Sequence, residues 1–403
     1  MKKLLCLLLL LCLLLTGCTV TLKIPQIGGG TEQTAGTKTD LSEEVTLPDD
    51  STLPEPEITV TVADSEELLT AGQTRLISEL LDRWYHFIGS YHEEDFSDLF
   101  DGENSGAEAL QHAASCRTLT AIRRAAPEDL HLSRCAVTLT VTEVTANGDE
   151  VLIELDEDSV MRFVGLDVES ELFALPHIFR LRCLGGDEWR ILHHEADDNP
   201  YFSFTYKEGC DTDPNLPIFL RNIERRQLLR EETAQVTFTC DHPYDREAAL
   251  AYMTEYCAYR NENWYAYDDV GGNCMNFGSQ ILLAGGIPMD YEGDAKWYWE
   301  SVNKTDLPFI NVGSFLDYAR TNEDFGLVAD IDAGYYTGEV GDLLIFGVNS
   351  PRHTTAICGV VQDEEGGTID YLLCSNTTNY RNFPAAAYYY TGQRLVKIYG
   401  WND

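Results

Sequence analysis

The apolar positions of this chain change period several times, and each change predicts an element. Ile77, Leu80, Leu81, Trp84 and Phe87-Ile88 recur at three- and four-residue spacing, one face of a helix. A second helix is predicted from about 105 to 125. The pattern then turns to short strand-like runs at 135–144, 150–156, 159–165, 176–184 and 189–194. Helical spacing returns at 219–233, where Arg221, Arg225, Arg226 and Arg230 make a basic helix, read as a solvated face or an interdomain contact. Further on, an apolar run after Cys274 and a segment near 312–321 predict helices, and 341–346, 353–361 and 368–374 predict strands. Helices and strands are segregated along each half, so the expected fold class is α+β.

The first residues carry a different signal. Lys2 and Lys3 precede an unbroken apolar stretch, Leu4 to Leu15, followed by Leu15-Thr16-Gly17-Cys18. This resembles a lipoprotein signal peptide with a bacterial lipobox, in which Cys18 is lipidated and becomes the first mature residue. An uncleaved signal anchor is the alternative. The resemblance implies a lipid-anchored protein on the extracytoplasmic face of the cell membrane, meeting the membrane through that N-terminal lipid. Residues 19–64 are rich in Thr, Pro, Gly and acidic side chains and read as a disordered tether. The expected units after it are an accessory α+β domain at 65–206, a linker with the basic helix at 207–243 and a C-terminal domain at 244–403. In order of elements the accessory domain is similar to an NTF2-like cone.

The formal charge of −39 argues against nucleic acid and anionic wall polymers as direct ligands, since phosphate backbones are recognised by Lys and Arg. Nine cysteines follow Cys18 without a compact framework or a paired CxxC, so few or no disulfides are expected. His193-His194-Glu195 invites a metal reading, but neighbours on a strand point to opposite faces. No motif predicts a cofactor or a metal. A monomer is expected.

The chemistry concentrates around Gly271-Gly272-Asn273-Cys274-Met275-Asn276-Phe277-Gly278-Ser279-Gln280. Asn273 is expected to cap a helix that opens with Cys274 and closes at Gly285-Gly286. A helix start favours thiolate over thiol. Such a nucleophile needs an imidazole and a third group to orient it. His353 is the only histidine downstream of Cys274, at the entrance of a predicted strand. The next strand delivers Asn376 at its end, with Asn379 as a competitor for the orienting role. The Cys274 backbone N–H is expected to form part of an oxyanion hole, and a second donor is sought near residues 264–267.

Tyr244-Asp245-Arg246-Glu247-Ala248-Ala249, Asn273-Cys274-Met275-Asn276-Phe277-Gly278-Ser279-Gln280, Gly341-Asp342 and the His353 strand together resemble the "putative amidase" domain of bacterial surface proteins. The resemblance covers 244–403 and implies a papain-like fold, similar in plan to the NlpC-type and CHAP peptidoglycan amidases. It implies a cysteine hydrolase acting on amide bonds, with peptidoglycan stem peptides or nearby peptides as substrate and Cys274, His353 and Asn376 as the triad. A transferase would use the same residues. The family's acidic residue before the cysteine is Asn273 here, and its later His-Thr-x-Asp is Asn376-Thr377-Thr378-Asn379. Those departures keep open a catalytically inactive surface-binding module of the same fold. Trp297-Tyr298-Trp299 reads equally as a ligand wall or as core.

Overall fold

The computed structural model describes residues 54–126, 130–196, 199–201, 204–229, 237–292, 295–347, 351–388 and 392–403. The expected signal peptide with Cys18, the expected tether up to residue 53 and positions 348–350 before His353 lie outside the described residues.

The first strand, β1 (Glu57–Ala63), falls in the stretch that composition assigned to the tether. Ile58, Val60 and Val62 alternate with polar residues and pack on the core, a period of two concealed by acidic neighbours. It runs parallel to β2, which spans Leu132–Asn147. Between them lie α1 (Ala71–Ser90) and α2 (Gly106–Ala125). Thr70 and Gln73 cap α1 reciprocally, each side chain taking the other's backbone N–H. Ile77, Leu80, Leu81, Trp84 and Ile88 are its fully buried stripe. An antiparallel meander comes next: β2, β3 (Glu150–Phe163), β4 (Ser170–Gly185) and β5 (Glu188–Glu195).

The sequence pattern splits β3 at its acidic run. The strand is continuous, with an irregularity in its pairing to β4 between Glu157 and Ser159. Glu157 is fully buried. Its carboxylate meets His177 Nε2 at 2.6 Å, accepts from Asn199 Nδ2 at 3.0 Å and accepts the hydroxyls of Tyr85 and Ser159. Four polar partners make a buried carboxylate tolerable, and no local pattern announces them. From Glu157 a row of rings runs outward. His177 Nδ1 lies 3.0 Å from His194 Nε2, and His194 Nδ1 lies 3.3 Å from His112 Nε2. His112 Nδ1 ends the row on the Glu108 carbonyl, at 3.0 Å. His193 turns instead to the Glu108 carboxylate at 2.9 Å. Among the described residues no group of three or more His, Cys, Asp or Glu is arranged to hold a metal ion.

The basic helix, α3, spans Leu216–Leu229. The C-terminal elements are β6 (His242–Pro243), α4 (Arg246–Tyr256), α5 (Cys274–Ala284), the β7 (Trp299–Ser301) and β8 (Lys304–Thr305) hairpin, α6 (Leu307–Ile310), α7 (Val312–Thr321) and β9 (Gly326–Ala333). Then come β10 (Leu343–Phe346), β11 (His353–Gln362), β12 (Thr368–Asn376), β13 (Asn379–Pro384) and β14 (Gln393–Asn402). The class is mixed α+β. One sheet runs β1-β2-β3-β4-β13-β12-β11-β10-β14-β6, with β5 on β4 and β9 on β14. The seam is β13 against β4, where Asn379, Tyr380 and Arg381 face Phe173, Leu172 and Glu171.

The central strands divide two cores. Leu344, Phe346, Ile357 and Leu373 face the core that includes the α1 side chains and Phe163. Leu343, Ile345, Ala356 and Cys374 face the core built from α4, α5 and α7. The strand alternation thereby assigns each side chain of β10, β11 and β12 to one core or the other.

Candidate active site

The Tyr244-Asp245-Arg246 segment holds α4 in place. Asp245 caps α4 by accepting from Ala248 N. Arg246 donates to Asp342 Oδ1 at 2.8 Å and to the Val340 and Ile398 carbonyls at 2.7 and 2.6 Å. Asp342 also accepts from the backbone N–H groups of Ile398 and Glu339. Burial pushes the Asp342 carboxyl up to about 6 despite the guanidinium beside it. The residues that carried the family resemblance at Gly341-Asp342 therefore clamp α4 to the sheet.

Helix α5 places Cys274 at its first turn, as the sequence predicted, and ends at Gly285-Gly286. A Cβ on Gly285 would lie 2.0 Å from the Tyr244 ring, and Gly286 adopts φ +92, so both positions demand glycine. Asn273 makes no side-chain cap. Its Oδ1 instead accepts from Tyr267 N and Asn276 Nδ2, and its Nδ2 donates to Asn376 Oδ1 at 2.6 Å. Asn273 N donates to Thr377 Oγ1 at 2.7 Å. The helix start is thus stitched to the end of β12.

Cys274 is buried. Burial pushes its thiol up, outweighing the backbone N–H groups of Thr354, Met275 and Cys274 that pull it down. The expectation of a lowered thiol at this helix start is corrected: desolvation of the anion wins over the helix end.

His353 is where the predicted triad separates. It pairs across the strands with Phe346, whose side chain lies in the core on the α1 side. Its ring stacks on Tyr388 at 5.8 Å and lies 5.9 Å from Phe346. The next residue, Thr354, faces α5: its methyl would meet a Cβ on Gly278 at 3.3 Å, and its hydroxyl lies 3.7 Å from Met275 Sδ. Strand alternation puts His353 and Thr354 on opposite faces, so the imidazole and the Cys274 helix are on opposite sides of the sheet. Burial lowers His353 to about 4, leaving a neutral ring.

Asn376 likewise does not orient His353. It lies on the α5 side, accepting from Asn273 and donating Nδ2 to the Tyr256 carbonyl at 2.9 Å. The residue beside His353 is Ser375, with Oγ 3.3 Å from Nε2. The competitor Asn379 belongs to the seam: it donates to the Phe173 carbonyl and accepts from Arg260. Sequence reasoning missed Thr354, Ser375 and the Asn273–Asn376 amide pair.

The aromatic triplet divides by residue. Trp297 is fully buried, stacks on Phe309 and donates to Ser279 Oγ. Trp299 donates to the Tyr267 hydroxyl at 3.0 Å and packs 5.0 Å from Trp264. Tyr265 and Tyr291 are exposed, and Tyr291 stacks on Tyr298 at 4.8 Å. An aromatic surface therefore adjoins the Asn273–Cys274 segment, since the Tyr265 carbonyl accepts from Asn276 Nδ2. All nine cysteines from Cys116 onward are free thiols.

Residues 243–399 match the family model described as "Putative amidase domain". At that level the region is similar to amidase domains, hydrolases directed at amide bonds. No curated protein and no solved structure matches the chain.

Proposed function

We propose that residues 243–399 recognise a peptide amide at the Cys274 helix start and hold it without a thiolate–imidazole pair, so that this chain works as a peptide-binding module of amidase type. The observation that carries the reading is the placement of Cys274 and His353 on opposite faces of the sheet, with neutral amides, Asn273 and Asn376, bonded to each other on the Cys274 side. Side-chain amides and the nearby exposed tyrosines are suited to peptide bonds and apolar or sugar faces. The ligand class we propose is the stem peptide of peptidoglycan, met by a protein anchored through a lipid on Cys18 at the extracytoplasmic face. A helix-borne cysteine packed on an antiparallel sheet supports a papain-like plan for this region, and two helices on a curved meander support an NTF2-like plan for 65–206.

The second reading is turnover at Cys274. The family match favours it, as do the backbone N–H groups of Thr354, Met275 and Cys274, which favour the thiolate form of the sulfur. The test is incubation of purified muropeptides with wild type and Cys274→Ala, read by mass spectrometry and by calorimetry. Saturable binding with no cleavage in either protein supports the module. Cleavage that disappears in Cys274→Ala overturns it in favour of the hydrolase.

A further inference from the structure

The basic helix α3 has no role in the Cys274 site, and it walls a recess away from that cysteine. A cavity of about 340 Å³ lies between α3 and the α1-side face of the sheet. Its apolar wall is formed by Ile122, Phe219, Ile223, Tyr335, Tyr388 and Leu395, all buried. That size and lining suit a small organic molecule.

Its polar lining consists of Asn222, Arg225, Arg226, Gln393 and Arg394, with one carboxylate, Asp332. Asn222 Nδ2 lines the cavity, is buried, and has no hydrogen-bond partner. A buried amide N–H without an acceptor is costly unless something in the cavity accepts from it. Arg226 is held over the Tyr335 ring at 5.8 Å and donates to Gln393 Oε1 at 3.2 Å. The Tyr335 hydroxyl donates to the same Gln393 oxygen at 2.6 Å. Arg225 and Arg394 complete the basic lining. Arg225 is exposed and has no carboxylate partner among the described residues, whereas Arg394 has Asp332 at 3.7 Å. Three guanidinium groups around one recess are a local exception in a chain of formal charge −39. Guanidinium groups and an amide N–H are all donors and recognise carboxylate or another oxyanion.

We infer that this recess is a binding site for a small organic anion with an apolar or aromatic body. The body stacks between Phe219, Tyr335 and Tyr388, and the carboxylate or equivalent oxyanion accepts from Asn222 and the arginines. The site is separate from Cys274, on the other face of the sheet.

The test uses purified full-length protein and three probes of one shape: 2-naphthoate, 2-naphthalenemethanol and 2-naphthylmethylammonium, followed by naphthyl fluorescence and calorimetry. Naphthoate is expected to bind saturably, the alcohol at least tenfold more weakly, and the ammonium not at all. Arg225→Glu with Arg394→Glu is expected to weaken naphthoate at least tenfold, and Asn222→Leu several-fold, with little change for the alcohol. The probe series on wild type stands even if a variant folds poorly. Equal affinity for acid and alcohol, undiminished naphthoate binding by the charge-reversed protein, or no saturable binding by wild type would each overturn the site.

Discussion

An imidazole one residue away from the position that faces a thiol is chemically absent from it, because consecutive strand residues are divided by the full thickness of the sheet. Exchanging the two residues, His353→Thr with Thr354→His, puts the ring on the α5 face beside Cys274 without changing composition. In wild type, brief iodoacetamide treatment at neutral pH should label the half-exposed Cys183, Cys210 and Cys240 ahead of Cys274, whose thiol burial pushes up. In the exchanged protein the labelling rate of Cys274 should rise by at least about tenfold, since a neighbouring imidazolium favours the thiolate. Peptide mapping reads both, and preferential labelling of Cys274 in wild type would contradict the face assignment. At this scale the sequence made the chemistry legible by type and order, but not by side. Cys274 does open a helix, and His353 does open a strand. What the residue names could not convey was the phase of β11 relative to β10, which is fixed by which of Leu343 and Leu344 enters which core.

The β10–β11 pair carries two buried titrating groups whose effects on stability oppose one another. His353 titrates near 4 when folded against an ordinary 6.5, so the unfolded chain takes up the proton first as pH falls. Its contribution is complete above pH 6.5 and is lost as pH falls towards 4. Asp342, just ahead of β10, titrates near 6 when folded against an ordinary 3.8. Its contribution is complete below pH 3.8 and is lost as pH rises through 6. Each shift corresponds to roughly 3 kcal/mol. These two groups should therefore largely offset one another between pH 4 and 6.5, and variants should expose them. Relative to wild type, His353→Gln should lose less stability on moving from pH 7 to pH 4.5. Asp342→Asn should lose more over the same interval, because it lacks the gain that protonation of Asp342 brings. Urea unfolding at the two pH values measures both, and parallel pH profiles for all three proteins would refute the assignment. Most elements here were readable from periodicity. The exceptions have physical causes: β1 hid in acidic composition, and β3 looked broken at Glu157 because its polar partners come from distant segments.

The division of the chain into an accessory unit and an amidase-type unit meets a continuous sheet at the level of the whole molecule. Arg381 donates to Glu171 across the β4–β13 seam, at 2.6 Å from Nε. Phe163 and Tyr201 from the first segment pack on Phe383 from the second. With one apolar core common to both, scanning calorimetry should record a single cooperative transition, and residues 238–403 alone should be much less stable than the same residues in the full chain. Two well-separated transitions would restore independent domains. The row of rings beneath α2 has a consequence of its own. The Glu108 carbonyl can only accept, so His112 must present hydrogen on Nδ1. That choice propagates: His194 must carry hydrogen on Nδ1 to reach His112, and His177 on Nδ1 to reach His194. Three tautomers are thereby dictated by one backbone oxygen, and a single surplus proton is left between His177 and Glu157. Reversing any ring obliges every other ring to reverse, so along these contacts the three tautomers are set together rather than one by one.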